Sequence, residues 1–132
     1  MRFIPTRFHA PLDYIVGAGL VAMPWIFQFS EHTAATAISV VLGIGLIAYS
    51  LFTNYELGVW KVAPMAVHNL IDVVAGALLA TSPWIFGFAD EGATTWVPFV
   101  VVGVAAIFLG LTTKQPGGYS YRRSRPAITG AR

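Results

Sequence analysis

Four runs of apolar residues, at 11–29, 34–52, 66–88 and 95–111, are each long enough to cross a bilayer and together take up most of the 132 residues. A soluble core of this size has no room for them. Hydrophobic residues make up 56% of the chain and charged ones 11%, against roughly 45–50% and 25% in soluble domains, and mean hydropathy is +0.68. The expectation is an all-α fold, a four-transmembrane-helix bundle with the lipid bilayer as its principal partner. With no cysteine, disulfides, thiolate metal sites and dithiol redox chemistry are excluded. Arg2 and Arg7 ahead of the first run raise the question of a secretory signal. That run ends in Pro24-Trp25-Ile26-Phe27 instead of a small-residue cleavage site, so it reads as a retained first helix.

Charge placement orients the bundle. Every basic residue falls before the first run (Arg2, Arg7), between the second and third (Lys61), or after the fourth (Lys114, Arg122, Arg123, Arg125, Arg132). With four spans these positions share one side, and the opposite loops carry Glu31, Asp90 and Glu91. The positive-inside rule then places both termini in the cytoplasm, in a plasma-membrane protein. Aromatic residues fit belts at both boundaries, with Trp25, Trp84 and Trp96 outside and Tyr14, Tyr49, Tyr55 and Trp60 inside.

The chain also repeats itself. His9 recurs as His68, 59 residues later, and at the same spacing Asp13 meets Asp72, Gly17 meets Gly76, and Pro24-Trp25-Ile26-Phe27 meets Pro83-Trp84-Ile85-Phe86. After one inserted residue Gly43 aligns with Gly103 and Thr53 with Thr113. The repeated unit is a two-helix hairpin that crosses the membrane twice. The expected architecture is therefore two tandem hairpins related by a pseudo-twofold axis along the membrane normal. Its divisions are an N-terminus at 1–8, hairpins at 9–54 and 66–113, a cytoplasmic linker at 55–65, and a basic flexible cytoplasmic tail at 114–132.

Ser82-Pro83-Trp84-Ile85-Phe86-Gly87-Phe88, preceded by His68 and Asp72, resembles the SPW repeat family of small prokaryotic membrane proteins. The resemblance runs from His9 to Thr113. The first copy is degenerate, with Met23-Pro24-Trp25 and Gln28 where the second has Ser-Pro-Trp and Gly. It implies a multi-pass membrane location and a fold with the motif in the first helix of each hairpin, and no particular reaction.

At about 100° per residue, His9, Asp13, Gly17 and Pro24 lie within about 80° of one another around a helix, as do their counterparts on the third span. Polar groups and glycines avoid lipid, so this face should turn inward, the glycines permitting close approach. Gly43, Gly45, Gly103, Ala105 and Ala106 offer similar small surfaces on the second and fourth spans. Pro24 and Pro83 should break or kink their helices near the outer edge, leaving Trp25, Phe27, Trp84 and Phe86 at the interface. Ser82 either bonds back to its own helix or reaches a neighbour.

The His-x-x-x-Asp pairs are the candidates for chemistry. Asp13 falls about 6 Å inside the inner edge of the bilayer, where a carboxylate needs a partner. The simplest arrangement is two local pairs, His9 with Asp13 and His68 with Asp72, stabilising helix ends. A sharper one has both pairs converge, giving two imidazoles and two carboxylates able to hold a divalent metal or relay protons. Phosphate loops, His-Glu-x-x-His and nucleophile elbows are missing from the sequence. The chain thus reads as a non-enzyme, a structural or accessory membrane component without a cofactor, with a metal or small-ligand site as the alternative. The expected partners beyond lipid are a second copy or another membrane protein, with no nucleic acid. His32 reads as a solvated loop residue.

Overall fold

The computed structural model describes residues 2–115. They form four helices, α1 (Thr6–Ile26), α2 (Thr33–Phe52), α3 (Met65–Ile85) and α4 (Ala93–Thr112). Extended chain pairs among the described residues at two isolated bridges, Ile4 with Thr113 and Thr53 with Ala63. The tail expectation beyond Gln115, including Arg122, Arg123, Arg125 and Arg132, lies outside the described residues.

A helix of 21 residues is about 31 Å long, the thickness of a hydrocarbon core. α2, α3 and α4 are each long and apolar enough to cross a membrane. α1 has the same length as α3 but falls short in hydropathy, because His9, Pro11 and Asp13 interrupt its first half. Apolar side chains face outward on every helix: Ile15, Val41, Val74 and Val101 are 61–66% exposed. Such a surface is unfavourable in water and suits lipid.

α1 and α3 begin after Pro5 and Pro64, both in extended conformation, so α1 starts five residues before the apolar run that foretold it. Their outer ends differ from the expected proline break. Each helix continues two residues past its proline and then stops through a left-handed residue, Gln28 (φ 59) or Gly87 (φ 73). The following amide then returns to the proline carbonyl, Phe29 N to Pro24 O and Phe88 N to Pro83 O, both at 2.8 Å. Trp25 and Trp84, in the last turns of these helices, remain exposed.

Each proline lacks the N–H that the carbonyl four residues earlier would accept. On α3 the freed Leu79 carbonyl takes the Ser82 hydroxyl at 2.7 Å. On α1 the corresponding position is Met23, and the Leu20 carbonyl is instead reached by the buried hydroxyl of Ser39 from α2. The serine before the proline and the serine on the neighbouring helix therefore do one job in two ways. An orphaned buried carbonyl costs about 1–3 kcal/mol. Ser39→Ala should lower thermal stability in detergent accordingly, and adding Met23→Ser should restore most of the loss. If the double variant melts no higher than Ser39→Ala alone, the substitution of one serine for the other is refuted.

Within each hairpin the helices touch at glycine. A Cβ built on Gly17 would lie 2.6 Å from Ile47, one on Gly43 2.7 Å from the Gly17 carbonyl, and one on Gly76 2.7 Å from the Gly103 carbonyl. Gly45 departs from the expected small packing surface, since a Cβ there meets nothing within 4 Å. The outer half of the bundle is closed by Leu20, Met23, Leu79 and the rings of Phe29, Phe88 and Phe99, with Phe99 tilted against both other rings at 5.6 and 4.9 Å. The loops that follow α1 and α3 meet through His32 and Glu91 at 3.4 Å, a half-exposed contact where the sequence suggests a solvated histidine.

Candidate metal centre

The inner ends of the helices hold the polar residues. The first two turns of α1 and α3 bring in His9 and Asp13, and His68 and Asp72, while Thr53 and Thr113 cap the C-terminal ends of α2 and α4. The two bridges set the threonines in place: Asn54 N donates to Ala63 O at 2.8 Å and Lys114 N to Ile4 O at 2.9 Å.

The two His-Asp pairs converge. His9 Nε2 lies 3.0 Å from Asp13 Oδ1 and 3.1 Å from Asp72 Oδ2, and His68 Nε2 lies 3.1 Å from Asp13 Oδ2 and 3.4 Å from Asp72 Oδ2. The two Nε2 atoms are 3.3 Å apart. The local pairing expected from i, i+4 spacing is present, and the cross pairs are as short. All four residues are buried, His9 and His68 completely, Asp13 to 4% and Asp72 to 6% exposure.

The opposite ring nitrogens are held from outside. His9 Nδ1 meets Thr113 Oγ1, and His68 Nδ1 meets Thr53 Oγ1, each at 2.7 Å. Thr53 spends its one proton on the Tyr49 carbonyl at 3.0 Å, so its oxygen accepts from His68 Nδ1–H. That bond fixes the tautomer of neutral His68 with its Nε2 lone pair directed into the cluster. Tyr49 stacks on the His68 ring at 5.0 Å. Tyr55 donates its hydroxyl to Asp13 Oδ2 at 3.0 Å. Burial pushes the Tyr55 phenol well above its ordinary pKa, with Asp13 acting in the same direction, so it stays a donor. Arg2 caps α4 from the same end, donating to the Gly110 and Thr113 carbonyls at 3.2 and 2.9 Å.

Tyr49 and Tyr55 thus belong to the site and not to an inner aromatic belt. Thr53 and Thr113 were visible in the sequence as an aligned pair, whereas the tyrosines have no counterpart in the other repeat and left no such signal. Gly17 and Gly76 sit at helix contacts one turn beyond the aspartates. Pro24, Trp25, Phe27, Ser82, Pro83, Trp84 and Phe86 lie at the other end of the bundle and take no part.

The arrangement suits a cation. Two buried carboxylates facing two imidazoles need positive charge to offset their desolvation. Four ligands about 2.0–2.1 Å from a zinc-type ion stand about 3.3–3.4 Å apart, and the imidazole–carboxylate and imidazole–imidazole separations here are 3.0–3.4 Å, with Asp13 reaching His9 through Oδ1 and His68 through Oδ2. One donor atom from each of the four residues lies within 4.8 Å of the others. Asp72 Oδ2 faces both imidazoles, at 3.1 and 3.4 Å, and is the one atom that approaches both rings.

The family model of the SPW repeat domain matches residues 7–113, nearly all of the described chain. No curated protein and no solved structure matches the chain.

Proposed function

We propose that this chain, which belongs to the SPW repeat family, is a non-enzymatic multi-pass accessory protein of the plasma membrane that binds one divalent transition-metal ion. His9, Asp13, His68 and Asp72 are its ligands. The observation that carries this reading is the 3.3 Å approach of the two imidazole Nε2 atoms between two buried carboxylates. With both Nε2 atoms bare, two lone pairs oppose each other, and with both protonated two N–H groups do. One shared proton or one ion between them removes the conflict, and of the two only a divalent ion also balances both carboxylates. A donor set of imidazole and carboxylate, without sulfur, favours zinc, manganese or iron(II) over soft ions.

Each hairpin supplies half of the ligands, so the ion would join the two halves of an internally duplicated chain. Support for the duplication comes from the helix bounds: α3 begins 59 residues after α1, and α4 begins 60 after α2. The crossed bridges and the two histidine–threonine bonds support a pseudo-twofold relation between the hairpins. Isothermal titration of the metal-stripped protein in nanodiscs with zinc should give one equivalent per chain. A stoichiometry of one per two chains, or no saturable uptake, would refute the reading.

The four-span topology with cytoplasmic termini predicts sidedness as well. The chain has no native cysteine, so single replacements report cleanly. In intact cells Glu31→Cys and Asp90→Cys should react with a membrane-impermeant maleimide, and Lys61→Cys should react only after lysis. Labelling of Lys61→Cys in intact cells would invert the topology.

A further inference from the structure

We infer that the crevice between α2 and α3 binds a small, rigid, mostly apolar alcohol of about two fused rings, whose hydroxyl sits between Tyr49 and Asp72. The crevice has a volume of about 290 Å³ and is lined almost wholly by apolar side chains, among them Leu42, Leu46, Ile71 and Leu79. An apolar cavity of about 150 Å³ holds one benzene, so this volume suits roughly two rings. It lies in the middle of the bundle, between the phenylalanine plug at the outer end and the histidine–aspartate cluster at the inner end.

The polar groups in the crevice choose its occupant. Tyr49 and Asp72 both line it; the Tyr49 hydroxyl is buried without a hydrogen-bond partner, and Asp72 Oδ2, already 3.1 and 3.4 Å from the two imidazoles, can accept from a further donor. Asp72 itself is 6% exposed. A lipid acyl chain fills apolar volume but leaves the Tyr49 hydroxyl orphaned, which is costly in a low-dielectric interior. One ligand hydroxyl serves Tyr49 and uses the carboxylate beside it: its oxygen accepts from the Tyr49 O–H, and its proton goes to Asp72 Oδ2. A carboxylate oxygen has more than one acceptor direction, so the ligand does not require Asp72 to leave the ion. The inference uses Asp72 as an acceptor and holds whether or not a metal is bound.

The test is equilibrium dialysis of radiolabelled 1-naphthol and of naphthalene against the whole protein in nanodiscs, with protein-free nanodiscs subtracted. The expected result is saturable binding of one naphthol per chain, with naphthalene about tenfold weaker or worse, the scale of a lost buried hydrogen bond. Tyr49→Phe should remove that preference for naphthol while leaving naphthalene binding unchanged. Equal binding of the two compounds by the unaltered protein would mean an unspecific apolar slot filled by lipid tails, and would overturn the inference, as would the lack of saturable uptake. Repeating the dialysis after chelation separates the two proposals. Naphthol binding in a protein that takes up no zinc sinks the metal reading alone, and zinc binding without naphthol sinks this one alone.

Discussion

His9→Ala and His68→Ala are each expected to weaken zinc binding by more than about a hundredfold, and by nearly equal factors, because each removes one of four ligands and leaves an unpaired carboxylate facing a gap. The two residues make the same contacts from opposite hairpins: an Nε2 on both aspartates and an Nδ1 on a threonine at 2.7 Å. Thr53→Val and Thr113→Val should cost less, about ten- to a hundredfold, since they remove the groups that orient the rings and leave the ligands in place. Zinc competition against a fluorescent chelator measures all four. A pattern in which one histidine matters and the other does not would mean that the ion, if bound, sits outside the shared centre. Far-ultraviolet circular dichroism should stay unchanged throughout, because all four helices keep their backbone bonds.

Gly103→Ala should be the most damaging single-methyl change within the four helices. A Cβ there would lie 2.5 Å from the backbone nitrogen of Ala80 and 2.6 Å from the Gly76 carbonyl, and backbone atoms on a packed neighbouring helix have nowhere to move. Overpacking of this kind costs about 1–3 kcal/mol and sometimes more, expected here at about 3 kcal/mol and read as loss of the folded fraction in a detergent melt. Gly45→Ala is the control. Its Cβ enters open space, and removing a helical glycine should leave stability equal or raise it by up to about 1 kcal/mol. Equal melting temperatures for the two variants would show that α3 and α4 do not meet at Gly103.

The difference between these two glycines marks where sequence reasoning stops. Period and composition identify small residues, and both glycines belong to the same class of position by that measure. Whether a small residue meets a neighbour or a crevice depends on how far apart two helices are held, which no single helix encodes. The histidines show the same limit from the favourable side. Their 100° periodicity put His9 with Asp13 and His68 with Asp72 on inward faces, but the distance between the faces comes from packing. That distance turns two ordinary i, i+4 pairs into one centre. In the sequence Tyr49 and Tyr55 look like boundary aromatics, because a tyrosine near a span's end looks alike whether it turns outward or inward. The prolines misled in a smaller way: the lost N–H falls within two residues of the helix end, and Ser39 or Ser82 takes the freed carbonyl, so the helix finishes its turn.

An ion held between the two hairpins by ligands from both has a distinctive X-ray absorption spectrum at the zinc edge, recorded on protein purified in mild detergent and loaded with one equivalent. The expected first shell is nitrogen and oxygen only, about 2.0–2.1 Å from the metal, with outer-shell imidazole scattering from two histidines that falls to one in His68→Ala. A shell of six water-like oxygens without imidazole scattering would contradict it, and the cluster would then be a set of carboxylates and imidazoles joined by shared protons alone.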